Sequence, residues 1–361
     1  MTRESWAAPA LEAVLSRAVL TRDEVAHRFP LFADPESGRW TTSRRGSWTG
    51  GFWSGLLWLR ARHTGAQRDR TVAWGTTDML ADRLSDDTAT RGLIHWYGTA
   101  LASGRRADEL RERAGHACLA AMDPELGLVP WGSAFGGPRL LARADAVPGM
   151  VPLLSSTRPG GDAAALSHLE RHLELCLSQE PLRPAWRYGA ASGWEPCDEP
   201  APGWSRGSAW LLLAVADGLA RLAPGHGAES RLNTAAVRLT AHWMRPPDGS
   251  LIPLAEPGRP GSPLDTSAAA VAAVALLKIA AVQERRELHE QATLILRTLV
   301  REHTTGGGSG ADAYDRPAGM LLDGCYDAGN GIAVRHELIW GDFFLALGLA
   351  VLTGLVGVNE A

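Results

Sequence analysis

The apolar positions of this chain recur at helical spacing, three to four residues apart, along most of its length. Almost no stretch alternates with the period of two that is typical of strands. The segments with helical spacing are residues 11–25, 48–59, 67–84, 90–101, 106–122, 144–154, 162–177, 204–222, 229–243, 265–282, 285–302 and 336–355. Glycine-containing stops such as Thr64-Gly65 and Ser103-Gly104 separate neighbouring segments. The pattern therefore predicts an all-α protein.

Short connections join these helices into hairpins, and about six hairpins of this length close naturally into a ring. We therefore predict an (α/α)6 barrel with a concave face. An α-solenoid is the competing architecture, but no sequence repeat of roughly 34 or 40 residues is visible. No composition shift marks a domain boundary. The chain is predicted to be one domain over residues 1–361, with an irregular, partly helical lead-in at 1–45.

Charge and composition narrow the range of partners. The chain has 36 basic and 40 acidic residues and no basic block, which argues against nucleic-acid binding. Charges interrupt the apolar positions of residues 1–20, so neither a signal peptide nor a membrane span is predicted there. The four cysteines contain no CxxC pair, which favours free thiols. We predict a cytoplasmic monomer or homodimer without metal or cofactor.

Tryptophan outnumbers phenylalanine by 14 to 6, an excess that sugar-binding clefts explain because sugar rings stack on indoles. The segment Trp204-Ser205-Arg206-Gly207-Ser208-Ala209-Trp210 places an arginine between two indoles at the start of an apolar helix. Such a set suits a planar polar ligand, since a guanidinium binds carboxylates or hydroxyls. The alternative is a helix start in which Trp210 packs in the core and Arg206 is solvated.

A second tryptophan cluster surrounds the start of the helix at 48–59. Trp53 and Trp58 are five residues apart and point to different sides, so one can lie in the core while another faces the cleft. Trp48 and Trp53 are the predicted ligand contacts here. Farther along the chain, Asp265 is predicted to cap a helix N-terminus.

Near the end of the chain, Glu337 and Asp342 fall inside the last predicted helix, at 336–355. We interpret both as structural residues.

Four motifs carry a family resemblance. Trp-x-x-Gly-Phe-Trp-x-Gly-x-Leu-Trp-Leu, Trp-Ser-Arg-Gly-x-Ala-Trp, Asp-x-Ser-Ala-Ala-Ala and Leu-Ile-Trp-Gly-Asp-x-Phe occur in this order. Together they resemble the unsaturated glucuronyl hydrolases of glycoside hydrolase family 88, which are related to the unsaturated rhamnogalacturonyl hydrolases of family 105. The resemblance covers roughly residues 48–349. It implies an (α/α)6 barrel in which a carboxylic acid protonates the C4=C5 bond of an unsaturated uronyl residue and water adds at C5.

The chain departs from that family at the first of two facing aspartates. The family's His-Asp-x-Gly-Phe segment corresponds to Ala89-Thr90-Arg91-Gly92-Leu93, so both His and Asp are missing. Thr90 then faces the substrate, and Asp87, about one helical turn earlier, is a candidate substitute. The alternative is that Asp86 and Asp87 cap the helix that follows.

The second family aspartate corresponds to Asp145, which matches the family 105 form of the segment. In an apolar cleft it would suit proton donation. The alternative is an N-cap of a short helix. Ser208 replaces a glutamine usual in the family, and the segment 191–196 replaces its His/Gln-Gly-Tyr. The resemblance therefore implies a rebuilt substrate pocket.

Two functions follow. The first is a divergent enzyme in which Asp145 protonates an alkene or enol ether of a sugar- or uronate-like substrate. Such an enzyme could be repurposed as a hydratase, lyase or cyclase of small-molecule metabolism. The second is a catalytically inactive barrel that binds a sugar or a partner protein. Both predict a small-molecule or saccharide ligand.

Overall fold

The computed structural model describes residues 5–222, 225–244, 249–306 and 316–361. These residues form an (α/α)6 barrel, which confirms the predicted fold. Its helices are α1 (Ala7–Val25), α2 (Gly50–Thr64), α3 (Gln67–Met79), α4 (Tyr97–Thr99), α5 (Arg105–Ala120), α6 (Met150–Ser155), α7 (Gly161–Cys176), α8 (Ser205–Arg221), α9 (His226–Met244), α10 (Thr266–Gln283), α11 (Arg286–Glu302) and α12 (Ile339–Thr353).

The helices divide into an inner and an outer set according to their apolar pattern. Helices α2, α8, α10 and α12 are buried around most of their circumference and form the core. Helix α11, which packs against α10, buries only one apolar stripe, as expected for an outer helix. Helix α10 is long and apolar enough to cross a membrane, but 83% of that stretch is buried inside the protein. Its hydrophobicity is therefore explained by its central position in the barrel.

Two predicted helices are interrupted where their backbones meet. Residues 90–101 form a π-helical segment, Gly92–Trp96, followed by α4, and residues 144–154 form a 3-10 turn, Ala144–Ala146, followed by α6. Gly149 adopts a φ of +70° between the two pieces. A Cβ atom on Gly149 would lie 2.4 Å from the Gly92 carbonyl oxygen, and one on Gly92 would lie 2.3 Å from the Met150 nitrogen. The two glycines thus bring the segments of Thr90 and Asp145 into direct backbone contact.

The described residues also contain short strands that the sequence pattern did not indicate. Seven of them form two antiparallel sheets, of order β2-β1-β7-β6 and β3-β4-β5. They are β1 (Phe29–Ala33), β2 (Trp40–Ser43), β3 (Leu141–Arg143), β4 (Ala185–Gly189), β5 (Gly193–Pro196), β6 (Gly324–Asp327) and β7 (Ile332–Leu338). Each is three to seven residues long, and short strands give too few alternations for a clear period of two.

The last helix was predicted to begin at residue 336, but α12 begins at Ile339. Residues up to Leu338 belong to β7, where Leu338 pairs with Phe32 of β1. Glu337 therefore lies in a strand, where it accepts hydrogen bonds of 2.9 and 2.7 Å from the Arg17 guanidinium of α1. Both side chains are buried, so this contact ties β7 to the first helix. In the described part of the predicted lead-in, residues 5–45, the helical portion is α1, and β1 and β2 are strands that the sequence pattern did not indicate.

Candidate functional site

A cavity of about 460 Å³ lies where the inner helices α2, α8 and α10 begin. Its aromatic lining consists of Trp48, Trp131, Phe135, Trp204 and Tyr326. Its charged lining consists of Arg143, Asp145, Glu199, Arg206, Glu256 and Asp327. Residues from at least five separate stretches of the chain converge here. A concave space with aromatic walls and a few polar groups is the usual form of a small-molecule site.

Arg206 lines this cavity, but its guanidinium is directed at the protein. Nη1 donates to Asp265 Oδ2 at 2.7 Å and to the Cys325 carbonyl oxygen, and Nη2 donates to the Tyr326 carbonyl oxygen at 2.7 Å. The guanidinium lies 4.8 Å from the centre of the Trp204 ring, and the Arg206 residue is 4% exposed. The sequence suggested that Arg206 either binds a ligand or lies in solvent, and the observed guanidinium does neither. Arg206 instead builds the cavity wall.

Asp265 caps α10 as predicted. Its Oδ1 accepts hydrogen bonds from the backbone nitrogens of Ser267 and Ala268, at 3.1 and 3.3 Å, and from the Ser267 hydroxyl at 2.5 Å. The prediction is confirmed, and the structure adds the ion pair to Arg206. Because that partner is 59 residues away in the chain, the capping motif gave no sign of it.

Trp48 and Trp204 line the cavity, whereas the other two predicted tryptophans do not. Trp53 and Trp210 are buried in the core, at 2% and 0% exposure. The Trp210 ring stacks on Phe52, with centroids 6.2 Å apart and planes 11° apart. Ser208 is also buried outside the cavity lining. These three side chains follow the packing interpretation and are not placed to touch a ligand.

Trp48 belongs to an aromatic wall on one side of the cavity. Its Nε1 donates to the Tyr326 hydroxyl at 3.1 Å, and its ring centroid lies 4.8 Å from that of Trp340. The Tyr326 hydroxyl accepts this bond and keeps its own proton to donate. The wall therefore offers an apolar face with one polar group at its edge.

Thr90 lines the cavity, but Asp87 does not. The Thr90 nitrogen donates to the Thr88 hydroxyl at 3.1 Å, so a threonine caps this turn and not an aspartate. Asp87 accepts hydrogen bonds from the Ser133 nitrogen and hydroxyl and from Arg139 Nε, at 3.1–3.2 Å. Burial alone would raise the pKa of Asp87, but these hydrogen bonds lower it. The structure therefore does not support Asp87 as a substitute acid, because the Asp87 carboxylate stabilises the turn at residues 132–134.

Asp145 lines the cavity next to Arg143. Arg143 donates from Nε to Asp145 Oδ1 at 3.0 Å and from Nη2 to Oδ2 at 3.3 Å, and its guanidinium lies 4.6 Å from the Trp131 ring centre. Burial opposes the charge on Arg143, but the Asp145 carboxylate raises the pKa of Arg143 above its ordinary value. The alternative interpretation of Asp145 as a helix cap is not observed.

Two buried histidines of α7, His168 and His172, pack against the segment that contains Asp145. His168 Nδ1 accepts from the Val129 nitrogen at 3.1 Å, and its Nε2 lies 3.3 Å from the Ala146 carbonyl oxygen. The neighbouring His172 ring centre is 4.3 Å away. Accepting at Nδ1 requires the proton on Nε2, so neutral His168 bridges the two segments. Burial holds the pKa of His172 down at about 4.

Sequence reasoning missed several lining residues, of which Glu256 is the most unusual. Glu256 is 5% exposed, and its Oε2 accepts no hydrogen bond, although Arg259 Nη1 lies 2.8 Å away in an ion pair. Burial raises the pKa of Glu256; Arg259 opposes this, and Glu199 and Asp327 add to it. The other missed aromatic and charged residues are Trp131, Phe135, Arg143, Glu199, Tyr326 and Asp327. All of them lie in loops or short strands, where no periodic pattern indicates which side chains face inward.

Within the described residues, no group of three His, Cys, Asp or Glu side chains is placed to hold a metal ion. The Cys325 thiol lines the cavity, and burial raises its pKa to about 12. It therefore stays neutral and is a poor nucleophile at neutral pH. The carboxyl groups and the tyrosine hydroxyl are the groups able to exchange protons with a ligand.

The fold and the cavity together define an (α/α)6 barrel with a concave site of small-molecule size. No known protein-family profile matches the chain. The chain resembles the unsaturated glucuronyl hydrolase of Bacillus sp. (strain GL1), with 24% identity over 346 residues, which is 88% of this chain and 89% of that protein.

Solved structures of such enzymes share the fold. The crystal structure of the Bacillus sp. GL1 enzyme, described as responsible for the degradation of glycosaminoglycan, superposes with a TM-score of 0.82 at 23% identity and 97% coverage of both chains. An unsaturated glucuronyl hydrolase structure with dGlcA-Glc-Rha-Glc gives 0.83 at 22% identity, again with 97% coverage of both. A Streptococcus agalactiae variant complexed with dGlcA-GalNAc6S gives 0.75 at 16% identity, covering 96% of this chain and 91% of that one.

Proposed function

We propose that this protein is a divergent enzyme of the unsaturated glucuronyl hydrolase type that acts on an alkene or enol ether of a sugar-like substrate. The similarity to such hydrolases supports a glycoside-hydrolase-like function. The observation that carries the finer proposal is the meeting of Asp145, Trp48 and Trp204 in one cavity. A carboxyl group beside aromatic walls is what protonation of a bound sugar alkene requires.

In the proposed reaction Asp145 gives a proton to one alkene carbon. The positive charge forms at the other carbon and is shared with the ring oxygen. Water, or a hydroxyl of the substrate itself, adds to that carbon, and its proton returns to Asp145. When the adduct is a hemiketal, it opens and releases the neighbouring sugar. Addition without this release makes the enzyme a hydratase or cyclase.

The Arg143–Asp145 ion pair sets a condition on this mechanism. A carboxyl group that carries a proton has lost its negative charge, so its ion pair with Arg143 must weaken each time Asp145 is loaded. A ligand group that draws Arg143 toward itself would allow this. Thr90 occupies the place of the first family aspartate, so the water is activated by Asp145 alone or by another carboxyl group of the cavity.

The test compares wild type with Asp145→Asn, a nearly isosteric change that removes the exchangeable proton. The probes are an unsaturated glucuronyl disaccharide, followed by the ultraviolet absorbance of its double bond, and D-glucal, a cyclic enol ether followed by the NMR signal of its vinyl proton. We expect weak or no turnover of the disaccharide and turnover of the glucal. Asp145→Asn should lower the glucal rate by about 10²–10⁴-fold, the usual loss for one acid–base group.

Asp162→Asn is the matched control, because Asp162 lies in the first turn of α7, is 47% exposed and is absent from the cavity lining. It should leave the rate unchanged. Activity that survives Asp145→Asn would place the chemistry elsewhere in the cavity. Robust hydrolysis of the disaccharide would show that the missing aspartate has been replaced.

The second candidate is a barrel that binds a sugar without reacting. Thr90 in the aspartate position and the ion pair that occupies Asp145 favour it. Binding of sugars by calorimetry, with no change in either probe over days, would support this candidate against the first. The cytoplasmic location and the oligomeric state remain predictions from the sequence.

A further inference from the structure

The cavity holds more acidic than basic groups. Its lining contains four carboxylates, Asp145, Glu199, Glu256 and Asp327, against the two guanidinium groups described above, and no lysine or histidine. A binding site for a uronate would need the reverse, since a carboxylate ligand is held by positive charge.

Both guanidinium groups are already neutralised by the protein. Arg206 is paired with Asp265 and Arg143 with Asp145. Outside the lining, Arg259 contacts both Glu199 and Glu256. Counting these partners, the cavity region has three positive and five negative groups. An excess of negative charge therefore faces any ligand that enters.

Asp327 carries the clearest part of this excess. It is half-buried and accepts hydrogen bonds only from Asn330, from the backbone nitrogen at 3.0 Å and from Nδ2 at 2.8 Å. Both donors are neutral, and no ion pair to Asp327 is found among the residues that the structure describes. Its negative charge is thus left for the cavity.

Glu256 gives a second indication. Its side chain is more than nine-tenths buried, and its Oε2 is paired with Arg259 Nη1 at 2.8 Å, a guanidinium that Glu199 shares. One positive charge therefore serves two carboxylates, and a buried carboxylate is costly when its charge is not fully balanced. Burial raises the pKa of Glu256; Arg259 opposes this, and Glu199 and Asp327 add to it. A positively charged group in the cavity would relieve the repulsion among these carboxylates.

The aromatic walls suit the same kind of ligand. A cation is attracted to the face of an indole or phenol ring, and the apolar face of a sugar ring stacks on the same surface. The cavity lining already contains this interaction twice, because Arg143 lies over Trp131 and Arg206 over Trp204. Trp48 and Tyr326 offer a further aromatic surface in the lining.

We infer that the ligand of this cavity is an amino sugar, with a protonated amine directed at Asp327 and Glu256, and not a uronate. This inference rests on the proposed function, since it assumes that the cavity takes a sugar-like ring. It replaces the negative group of the relatives' dGlcA-containing ligands with a positive one.

The experiment measures binding of three methyl glycosides by calorimetry at neutral pH and low salt. Methyl glucosaminide, its N-acetyl form and methyl glucuronide share one ring and carry a positive, a zero and a negative charge. We expect the amine to bind about tenfold or more tightly than the N-acetyl form, with the glucuronide weakest. The preference should shrink as salt is added, since the carboxylates are partly exposed to solvent.

Asp327→Asn removes the unpaired charge and keeps the shape of the side chain. It should cut the preference for the amine several-fold, because amine binding should lose more affinity than N-acetyl binding. Glu302→Gln is the control, because Glu302 is an exposed carboxylate at the end of α11 outside the cavity, and it should change neither. Thermal unfolding of both variants checks that the fold is intact.

The outcomes separate this inference from the proposed function. Equal binding of all three glycosides, or tightest binding of the glucuronide, would overturn the inference and leave sugar binding in place. Binding of none of them, with the fold intact, would overturn both. A preference for the amine that Asp327→Asn does not reduce would also overturn the inference, because the charge would then lie elsewhere.

Discussion

Two buried ion pairs join the same two inner helices, α8 and α10, at different depths. Arg206 and Asp265 lie at the helix starts beside the cavity, and Asp217 and Lys278 lie about 16–20 Å farther along the helices. All four side chains are nearly or fully buried. We call Arg206–Asp265, beside the cavity, the outer pair and Asp217–Lys278, deeper in the barrel, the inner pair. The outer pair has further hydrogen-bond partners, whereas the inner pair makes one hydrogen bond, from Lys278 Nζ to Asp217 Oδ1 at 2.6 Å. Among the described residues, Asp217 Oδ2 has no hydrogen-bond partner.

The two ion pairs differ because free backbone hydrogen-bonding groups are present at helix starts and absent from helix centres. At the start of a helix the first N–H groups are free, so Asp265 accepts from Ser267 and Ala268, while Arg206 donates to two carbonyl oxygens of β6. In the middle of a helix every N–H and C=O group is used by the helix itself. The pair at the helix starts can therefore use backbone groups as further partners, whereas a pair between helix centres depends on other side chains.

The largest effect should come from breaking the inner pair. Lys278→Met leaves the Asp217 carboxylate buried without a counter-charge, so we expect the free energy of unfolding to fall by about 3–5 kcal/mol. Urea unfolding measures it. The double variant Asp217→Leu with Lys278→Met is the control and should lie much closer to wild type, since it buries no charge. A single variant as stable as the double one would mean that Asp217 finds another partner.

A smaller loss is expected for the outer pair. Arg206→Ala removes charged hydrogen bonds to Asp265 and to β6, but Asp265 keeps its donors at the start of α10. We expect a loss of about 1.5–3 kcal/mol, the range for hydrogen bonds to charged groups. Arg206→Lys should recover only part of it, because lysine lacks the guanidinium fork. A loss exceeding that of Lys278→Met would contradict the comparison between the two pairs.

The smallest effect is a pH dependence of the inner pair. Burial lowers the pKa of Lys278 below its ordinary value of 10.5, although Asp217 opposes this. The unfolded chain therefore holds this proton more tightly than the native protein, and stability rises as the pH approaches 10.5 from below. Between about pH 8 and pH 10 we expect wild type to gain about 1 kcal/mol or less relative to the double variant. A relative loss over that interval would show that the Asp217 charge dominates and that the sign is wrong.

The sequence by itself determined the elements that depend on neighbouring residues. Helical spacing of apolar positions located most of the helices to within a few residues, and the capping of α10 by Asp265 followed from its position before a small-residue helix. The ordered motifs also placed Trp48, Trp204 and Arg206 near one another. These features are local, or repeat along one helix, so a linear pattern contains them.

Only the tertiary structure decided what those side chains touch. Arg206 binds groups that are 59 to 120 residues away, which turns a predicted ligand contact into part of the wall. Residue 337 lies in a strand because it pairs with Ala33 of β1, and its side chain binds Arg17, 320 residues away. Glu256 and Asp327 reach the cavity from irregular or short segments, where spacing carries no information about direction. The charge of the cavity is the sum of such distant contributions, and for that reason it became visible only in the folded chain.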